Sequence, residues 1–235
     1  MLTNILHFSA TIVQALVRHF LHVMETSQRN GSRPMTVFRK VVLATIGGIG
    51  VLGASCAAYA GFLQVTGNFH SVIDGQFYRS AQPTSEELAS YVRTHGIKTV
   101  INLRGTYPGT AWYDDEVTTA RSLGITHIDF GMSASKAISP EQAERLVELM
   151  ASVPKPILIH CLSGADRSGL AAALYVRKIA GLDEARAEGQ LSFYYGHVGI
   201  PVVSTAYAMD RSWEDIEAQD RKQAQAELVN GATVR

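Results

Sequence analysis

The chain is poor in cysteine, since Cys56 and Cys161 are its only two. Two cysteines are too few for a disulfide framework or a cysteine-rich zinc site. The eight histidines show no H-E-x-x-H sequence or other paired spacing of the kind that binds metals. We therefore expect neither a metal nor another cofactor.

Charged residues are also scarce, at 18% of the 235 residues, while apolar residues make up 46%. This balance excludes an intrinsically disordered chain and leaves enough apolar side chains for a buried core. The net charge is zero, but residues 1–40 carry five Lys or Arg against one Glu, which leaves sixteen basic and twenty acidic residues in 41–235. Because the larger part is mildly acidic, a nucleic-acid partner is not expected.

Charge is absent altogether from Val41 to Ile73, and residues 41–63 form a mostly apolar run of 23 residues. As a helix this run would measure about 35 Å, enough to cross a hydrocarbon core of roughly 30 Å. Arg39 and Lys40 precede it, and basic flanks stay in the cytoplasm, so the residues after 64 are predicted to lie outside.

Two interpretations of this run remain open. In one it is an uncleaved signal anchor, and in the other a signal peptide that is cleaved after the A-x-A sequence of residues 58–60. Residues 1–40 are predicted to be a leader and a basic flank, and both Met1 and Met35 remain candidates for the true start. Gly50, Ala54 and Ala58 recur every four residues and would let two helices approach closely, which indicates a possible homodimer.

Residues 69–220 are predicted to form one α/β domain, with a central, mostly parallel sheet flanked by helices, because apolar strands alternate with helical segments. The polar segment 221–235 is predicted to be a flexible tail. The predicted strands are 75–81, 98–103, 125–130 and 156–160, and the predicted helices are 85–95, 112–123, 139–152, 169–180, 183–191 and 205–219.

The chemistry is concentrated in His160–Gly169, which reads HCLSGADRSG and lies between a predicted strand and a predicted helix. Backbone N–H groups of a loop that leads into a helix N-terminus form an anion-binding site. The helix dipole and Arg167 would stabilise a thiolate at Cys161, and the planar guanidinium can hold two oxygens of a phosphate. Ser168 can donate a hydrogen bond to the thiolate.

This arrangement suits in-line displacement at phosphorus through a phosphocysteine, with Cys161 as the nucleophile. Gly164 would let the loop bend without a Cβ clash. The candidate phosphate-binding residues are Leu162, Ser163, Gly164, Ala165, Asp166 and Arg167.

The segment resembles the signature H-C-x5-R-[ST] of the cysteine-dependent protein tyrosine phosphatase superfamily, with His160, Cys161, Arg167 and Ser168 all in agreement. Residues 77–83 and 101–105 also resemble segments of the bacterial dual-specificity-like branch, so the resemblance covers about residues 69–200. It implies a phosphomonoester hydrolase with the fold of that branch. Several bacterial relatives are exported, which implies an inner-membrane protein whose catalytic domain faces the periplasm, or a periplasmic one if the leader is cleaved.

The general acid departs from the common pattern of the superfamily. Most members carry an aspartate on a separate loop some thirty residues upstream of the cysteine, but here residues 131–136 contain no carboxylate. Asp166 is the leading candidate, because the C-x4-D-R order is similar to that of lipid-active and broad-specificity bacterial members, in which this aspartate is thought to donate the proton. A purely structural role for Asp166 and proton donation by Asp129, 32 residues before Cys161, are the alternatives.

Three further residues are candidates for supporting roles. His160 is expected to orient the loop from beneath. Arg79 and Arg104 lie near predicted strand ends, where they would either face the pocket mouth or brace the site. The aromatic cluster of residues 194–197 is expected mainly to pack.

The side chains of the loop favour a substrate with one phosphate. The loop has no lysine, and Asp166 adds negative charge, so a highly anionic ring is disfavoured by repulsion. Phosphotyrosine in a protein or a small phosphomonoester is the expected substrate. The alternatives are a phosphoinositide or inositol-phosphate phosphatase, and a catalytically weak phosphate-binding scaffold at the membrane, which the missing upstream acid favours.

Overall fold

The computed structural model describes Arg18 and residues 34–233. The chain divides into two compact units, residues 1–59 and 60–235. The predicted leader up to residue 33, apart from Arg18, and the last two residues of the predicted tail lie outside the described residues.

A long apolar helix, α1, runs from Pro34 to Val65. Of the helices in the described part of the chain, this one alone is long and apolar enough to cross a membrane: its segment Phe38–Val65 has 28 residues and a mean hydropathy of 2.0. The segment contains the predicted span 41–63. Crossing of a membrane, cleavage of the leader and pairing of two helices stay predictions.

The second unit is built on a five-stranded sheet of order β1-β2-β5-β3-β4, in which β1 pairs antiparallel with β2 and all other neighbours are parallel. This confirms the predicted fold class. The strands are β1 (His70–Ile73), β2 (Phe77–Ser80), β3 (Thr99–Asn102), β4 (Thr126–Asp129) and β5 (Ile157–His160).

Helices cover both faces of the sheet. They are α2 (Ser85–His95), α3 (Ala111–Ser122), α4 (Pro140–Ser152), α5 (Asp166–Leu174, continued by a π-helical turn over Tyr175–Ile179), α6 (Glu184–Glu188) and α7 (Tyr207–Thr233), with a 3-10 turn at Phe193–Tyr195. Successive residues of a strand point to opposite faces. Ile157 and Ile159 therefore join the core under α4, α5 and α7, whereas Leu158 packs with Leu88 of α2 on the other face.

Local signals place several helix ends where the sequence predicts them. Thr84 and Glu87 form a reciprocal capping box at the start of α2, and Gly96 ends that helix with φ of 66°. Ser139 caps α4, with Pro140 as its first residue.

Three elements differ from the prediction. Strand β1 was missed, α5 begins at Asp166 rather than at 169, and α7 continues to Thr233, through most of the segment predicted to be a flexible tail. Residues 207–230 contain no glycine or proline and include many strong helix formers, so the polar composition does not interrupt the helix.

Candidate active site

The topology places the cysteine loop at the carboxyl end of the central strand. Strand β5 lies between β2 and β3, and its last residue, His160, is followed directly by the buried Cys161. Crevices at the carboxyl ends of parallel strands are where α/β folds bind ligands. The loop then enters α5 at Asp166, so the N-terminus of that helix faces the same crevice.

The loop requires glycine at position 164. Gly164 has φ of +73°, and a Cβ atom there would lie 2.6 Å from the backbone N of Ala81 and from the carbonyl carbon of Ser80. Both the backbone conformation and the close approach to the end of β2 exclude a larger residue.

Arg79 holds the loop from inside the protein. Its side chain is fully buried, and Nη2 donates hydrogen bonds of 2.8 Å to the carbonyl oxygens of both Gly164 and Ala165. Nη1 donates to the carbonyl oxygen of Gln190 at 2.8 Å, and the guanidinium stacks 4.1 Å from the centre of the Tyr195 ring. Burial lowers the pKa of Arg79 to about 10, so the group keeps its charge at neutral pH. Arg79 is thus a brace and does not line the pocket mouth.

Asn68 fixes the loop from a second side. Its Nδ2 donates to the carbonyl oxygens of Ser163 at 2.8 Å and Tyr195 at 2.9 Å, and its Oδ1 lies 2.9 Å from His70 Nε2. With Arg79 and Asn68 occupying three carbonyl oxygens of the loop, the shape of the backbone is set by the protein itself.

Three buried side-chain polar atoms of the motif, one of them His160 Nδ1, have no hydrogen-bond partner within the described residues. Arg167 Nη1 donates to the carbonyl oxygens of Leu103 at 3.2 Å and Met132 at 3.4 Å, which fixes the side chain across the ends of two strands. Arg167 Nε and Ser168 Oγ are buried and have no hydrogen-bond partner within residues 34–233. Unpaired buried donors are rare. Arg167 Nε and Ser168 Oγ belong to the two residues that the sequence assigns to the phosphate and to the thiolate.

Beneath the loop lies one carboxylate between two histidines. Glu116 Oε1 accepts hydrogen bonds from His160 Nε2 at 3.1 Å and from His127 Nε2 at 2.6 Å, and Gln82 binds Glu116 Oε2. Burial would raise the pKa of Glu116, but the two histidine hydrogen bonds outweigh it and lower that pKa to about 2. Sequence reasoning placed His160 beneath the loop and missed Glu116, although this charged residue shares the buried face of α3 with Tyr113 and Ala120.

Arg104 lies beside this cluster. Its Nη1 donates to Gln82 Oε1 at 2.9 Å, and its guanidinium stacks 3.5 Å from the centre of the Trp112 ring. Burial, followed by the charge of Arg167, lowers the pKa of Arg104. The charge of Arg167, a candidate phosphate-binding residue, thus acts on Arg104.

At the rim of the loop, one histidine lies between two carboxylates, the reverse of the arrangement around Glu116. Asp166 Oδ1 accepts from His197 Nδ1 at 2.7 Å, and Asp210 Oδ2 accepts from His197 Nε2 at 2.9 Å. Burial would lower the pKa of His197, but the two carboxylates raise it to about 9, so the ring carries a proton on each nitrogen at neutral pH. No local spacing indicated this contact, because 31 residues separate Asp166 from His197.

Asp129 belongs to a different neighbourhood. It ends β4, and β3 separates that strand from β5, which places it about 10 Å from β5 at the usual strand spacing. Its oxygens accept hydrogen bonds from Tyr113 Oη at 2.5 Å, Asn102 Nδ2 at 2.8 Å and Thr106 Oγ1 at 3.3 Å. The structure therefore joins Asp166, and not Asp129, to the cysteine loop.

No group of three or more metal-binding side chains occurs in the part of the chain that the structure describes. The reactive groups assembled at the site are a cysteine, an arginine, a serine and an aspartate, on a loop shaped to bind an anion.

The family model described as DSP-PTPase phosphatase fused to NAD+ kinase matches residues 64–198. The chain belongs to this family. The match confirms the resemblance drawn from residues 160–168 and identifies the chain as a phosphatase of the cysteine-dependent, dual-specificity type. A search of curated protein sequences finds no match.

Several solved structures are similar in fold. TpbA of P. aeruginosa in complex with phosphotyrosine is 19% identical, with 65% of this chain and 91% of that chain covered and a TM-score of 0.49. The core catalytic domain of the PP-IP phosphatase SIW14 of S. cerevisiae, in complex with citrate, is 21% identical over 66% of this chain and 93% of that one, with a TM-score of 0.48. Tk-PTP in its active form is 18% identical over 63% and 97%, with a TM-score of 0.48.

Proposed function

We propose that this chain is a membrane-anchored phosphatase that removes single phosphate groups from phosphotyrosine and other phosphomonoesters, with its catalytic domain on the periplasmic side. The observation that carries the reaction is the loop itself. Cys161 lies at its base, Arg79 and Asn68 hold its carbonyl oxygens, and α5 begins at its end.

The reaction proceeds in two steps. The Cys161 thiolate attacks phosphorus, an S–P bond forms and the P–O bond to the leaving group breaks. The leaving oxygen takes a proton through Asp166, and the His197 imidazolium, which donates a hydrogen bond to that carboxylate, supplies it. Water then attacks the phosphocysteine, its proton passes through the Asp166 carboxylate back to His197, the S–P bond breaks, and the Ser168 hydroxyl stabilises the departing thiolate. Arg167 holds oxygens of the phosphoryl group throughout.

Selectivity for one phosphate is supported by charge at the rim. The exposed Leu162 and the half-buried Ser163 add no cation to the loop, and Asp166 and Asp210 flank a single imidazolium. A ring with many phosphates would meet this net negative charge, so it binds less favourably than a single monoester.

The anchor and its direction are supported by the apolar helix and by the basic residues that precede it. A reporter enzyme that works only in the periplasm, fused after residue 235 of the full chain, is expected to be active. Activity of a reporter that works only in the cytoplasm would reverse the proposed direction.

The decisive test of the reaction uses the full chain in detergent with p-nitrophenyl phosphate. The wild type is expected to release p-nitrophenol and to be inhibited by vanadate, and Cys161→Ser is expected to show no turnover. Cys56→Ser is the matched control, because that exposed cysteine lies outside the catalytic domain, and it is expected to keep full activity. If the wild type binds phosphate without turnover, the chain is a binding protein instead.

A further inference from the structure

The catalytic loop is tied to the chain immediately after the apolar helix. A hydrocarbon core of about 30 Å takes roughly 20 helical residues, so a span that starts at Val41 leaves it near residue 60. Helix α1 ends at Val65, and Asn68, three residues later, donates its hydrogen bond to the Ser163 carbonyl oxygen. The length of chain in between limits the loop to about 20 Å from the hydrocarbon edge.

An exposed apolar segment follows the rim of the site. Its side chains at Val198 and Ile200 are 43% and 47% exposed, Val203 is 79% exposed, and Val202 is fully exposed. We call residues 198–203 the apolar turn. Apolar groups that cluster on a surface mark a contact with a partner or a membrane.

The backbone of the apolar turn is unusual. The N–H of Val203 donates to the carbonyl oxygen of Ile200, which places Pro201 and Val202 at the centre of a tight turn. Val202 has φ of 67°, a conformation in which glycine is usual and a β-branched residue is an outlier. Strain of this kind is retained mainly at functional sites, and here it displays a valine side chain to solvent.

The apolar turn starts beside the catalytic loop. His197, directly before it, binds Asp166, and a Cβ atom on Gly196 would lie 3.1 Å from Leu63 Cδ1 and 3.8 Å from Ala165 Cβ. The segment that leads into the turn therefore packs between the end of α1 and the catalytic loop. The exposed Leu162, within that loop, is 59% accessible and adds to the apolar rim.

We propose that the apolar turn inserts into the bilayer surface next to the active site, and that the substrate is a phosphomonoester carried by a membrane lipid. The proposal rests on the proposed phosphatase function and membrane anchor. It narrows the substrate from single phosphomonoesters in general to those carried by lipids. The Cys161 thiolate forms the S–P bond as the P–O bond to the lipid oxygen breaks, and that oxygen takes the proton through Asp166, so the lipid leaves as an alcohol that stays in the membrane.

The test compares two substrates on the full chain reconstituted in phosphatidylcholine vesicles. Phosphatidic acid in the same vesicles is the lipid probe, and p-nitrophenyl phosphate is the soluble one. In Val202→Asp combined with Val203→Asp, hydrolysis of phosphatidic acid is expected to fall about tenfold or more, because aspartate is strongly disfavoured in hydrocarbon. Hydrolysis of p-nitrophenyl phosphate is expected to stay unchanged, which also shows that the variant folds.

Val202→Leu combined with Val203→Leu is the matched control, since it keeps the apolar character, and it is expected to retain lipid hydrolysis. Equal loss of both activities in the aspartate variant, or unchanged lipid hydrolysis, would overturn the inference. So would a phosphotyrosine peptide that the wild type hydrolyses faster than phosphatidic acid. If the wild type fails on p-nitrophenyl phosphate as well, the phosphatase function itself is refuted.

Discussion

Two clusters of histidine and carboxylate groups support the same loop with opposite compositions. Beneath it, one carboxylate (Glu116) accepts from two histidines, and at the rim one histidine (His197) donates to two carboxylates. The first stabilises an anion inside the protein and lowers the pKa of Glu116 to about 2, whereas the second stabilises a cation and raises the pKa of His197 to about 9. Glu116 in the lower cluster therefore stays ionised over the whole physiological range, while the rim cluster holds a proton on His197.

The largest effect is expected at the rim, from Asp166→Asn. An amide cannot donate the proton as an acid does, so turnover of phenyl phosphate is expected to fall by about 10²–10⁴. Burst labelling of Cys161 by p-nitrophenyl phosphate, whose leaving group needs little protonation, is expected to persist. Rapid-quench kinetics on both substrates measure the difference. Asp129→Asn is the control, and unchanged turnover of phenyl phosphate in Asp166→Asn would exclude Asp166 as the acid.

The lower cluster is expected to act on stability instead. Glu116→Gln places an amide donor opposite the Gln82 donor and removes the charge between two histidines, which is expected to cost about 3 kcal/mol of unfolding free energy. Urea denaturation of the wild type and of the exposed-site control Asp115→Asn measures the loss. Because the pKa of Glu116 is lowered in the folded state, its contribution is present above pH 4.5 and is lost as the pH falls toward 2, so the gap between wild type and Glu116→Gln should narrow there. A gap that stays constant in acid would contradict this account.

A smaller effect on rate is expected from His197→Gln. Glutamine can donate to Asp166 but carries no dissociable proton, so turnover of phenyl phosphate is expected to fall about tenfold, at the low end of the effect of a proton-transfer group. Its signature is the pH profile, because the wild type should lose activity as the pH rises through about 9 and His197→Gln should not show that limb. The stability contributed by His197 follows the same sign: it is complete below pH 6.5 and is lost as the pH rises through about 9. If the wild type and His197→Gln lose activity at high pH in the same way, a group other than His197 causes that loss.

The smallest effect is expected from Asp210→Asn, which keeps the shape of the rim cluster and removes one of the two charges that raise the pKa of His197. The alkaline limb of the profile is expected to move to lower pH, with little change in turnover at pH 6. Asp220→Asn, farther along α7, is the matched control. If the loss of activity at high pH occurs at the same pH in Asp210→Asn as in the wild type, Asp210 does not raise the pKa of His197.

The site residues that the sequence predicted are those that lie next to one another in the chain. Cys161, Asp166, Arg167 and Ser168 lie within one loop, because a strand end, an anion-binding turn and a helix start need to be adjacent in the chain, and their order was readable. Asn68 and Glu116 reach the same loop from 95 and 44 residues away, through contacts that only the folded sheet creates. Their partners are fixed by strand order, which periodicity does not specify.

The elements of the fold also divide into those that local sequence predicts and those that it does not. Buried strands and capped helices were predictable, because apolar runs and side-chain caps are local signals. Helix α5 begins three residues earlier than predicted. Its start gave no sequence signal, because the N-cap residue, Ala165, has a methyl side chain that cannot accept a cap hydrogen bond. Strand β1 was missed because it is a short edge strand, four residues long, with one exposed and three half-buried residues.

The two hydrogen bonds from Arg79 Nη2 to neighbouring carbonyl oxygens have a consequence for the end of the catalytic cycle. A loop that already holds its anion-binding shape spends no conformational entropy on ordering when phosphate arrives. The same preorganised shape fits orthophosphate, the second product, as well as the ester. We therefore expect orthophosphate to inhibit the enzyme as a product, so that the phosphate concentration around it sets the fraction of free active sites.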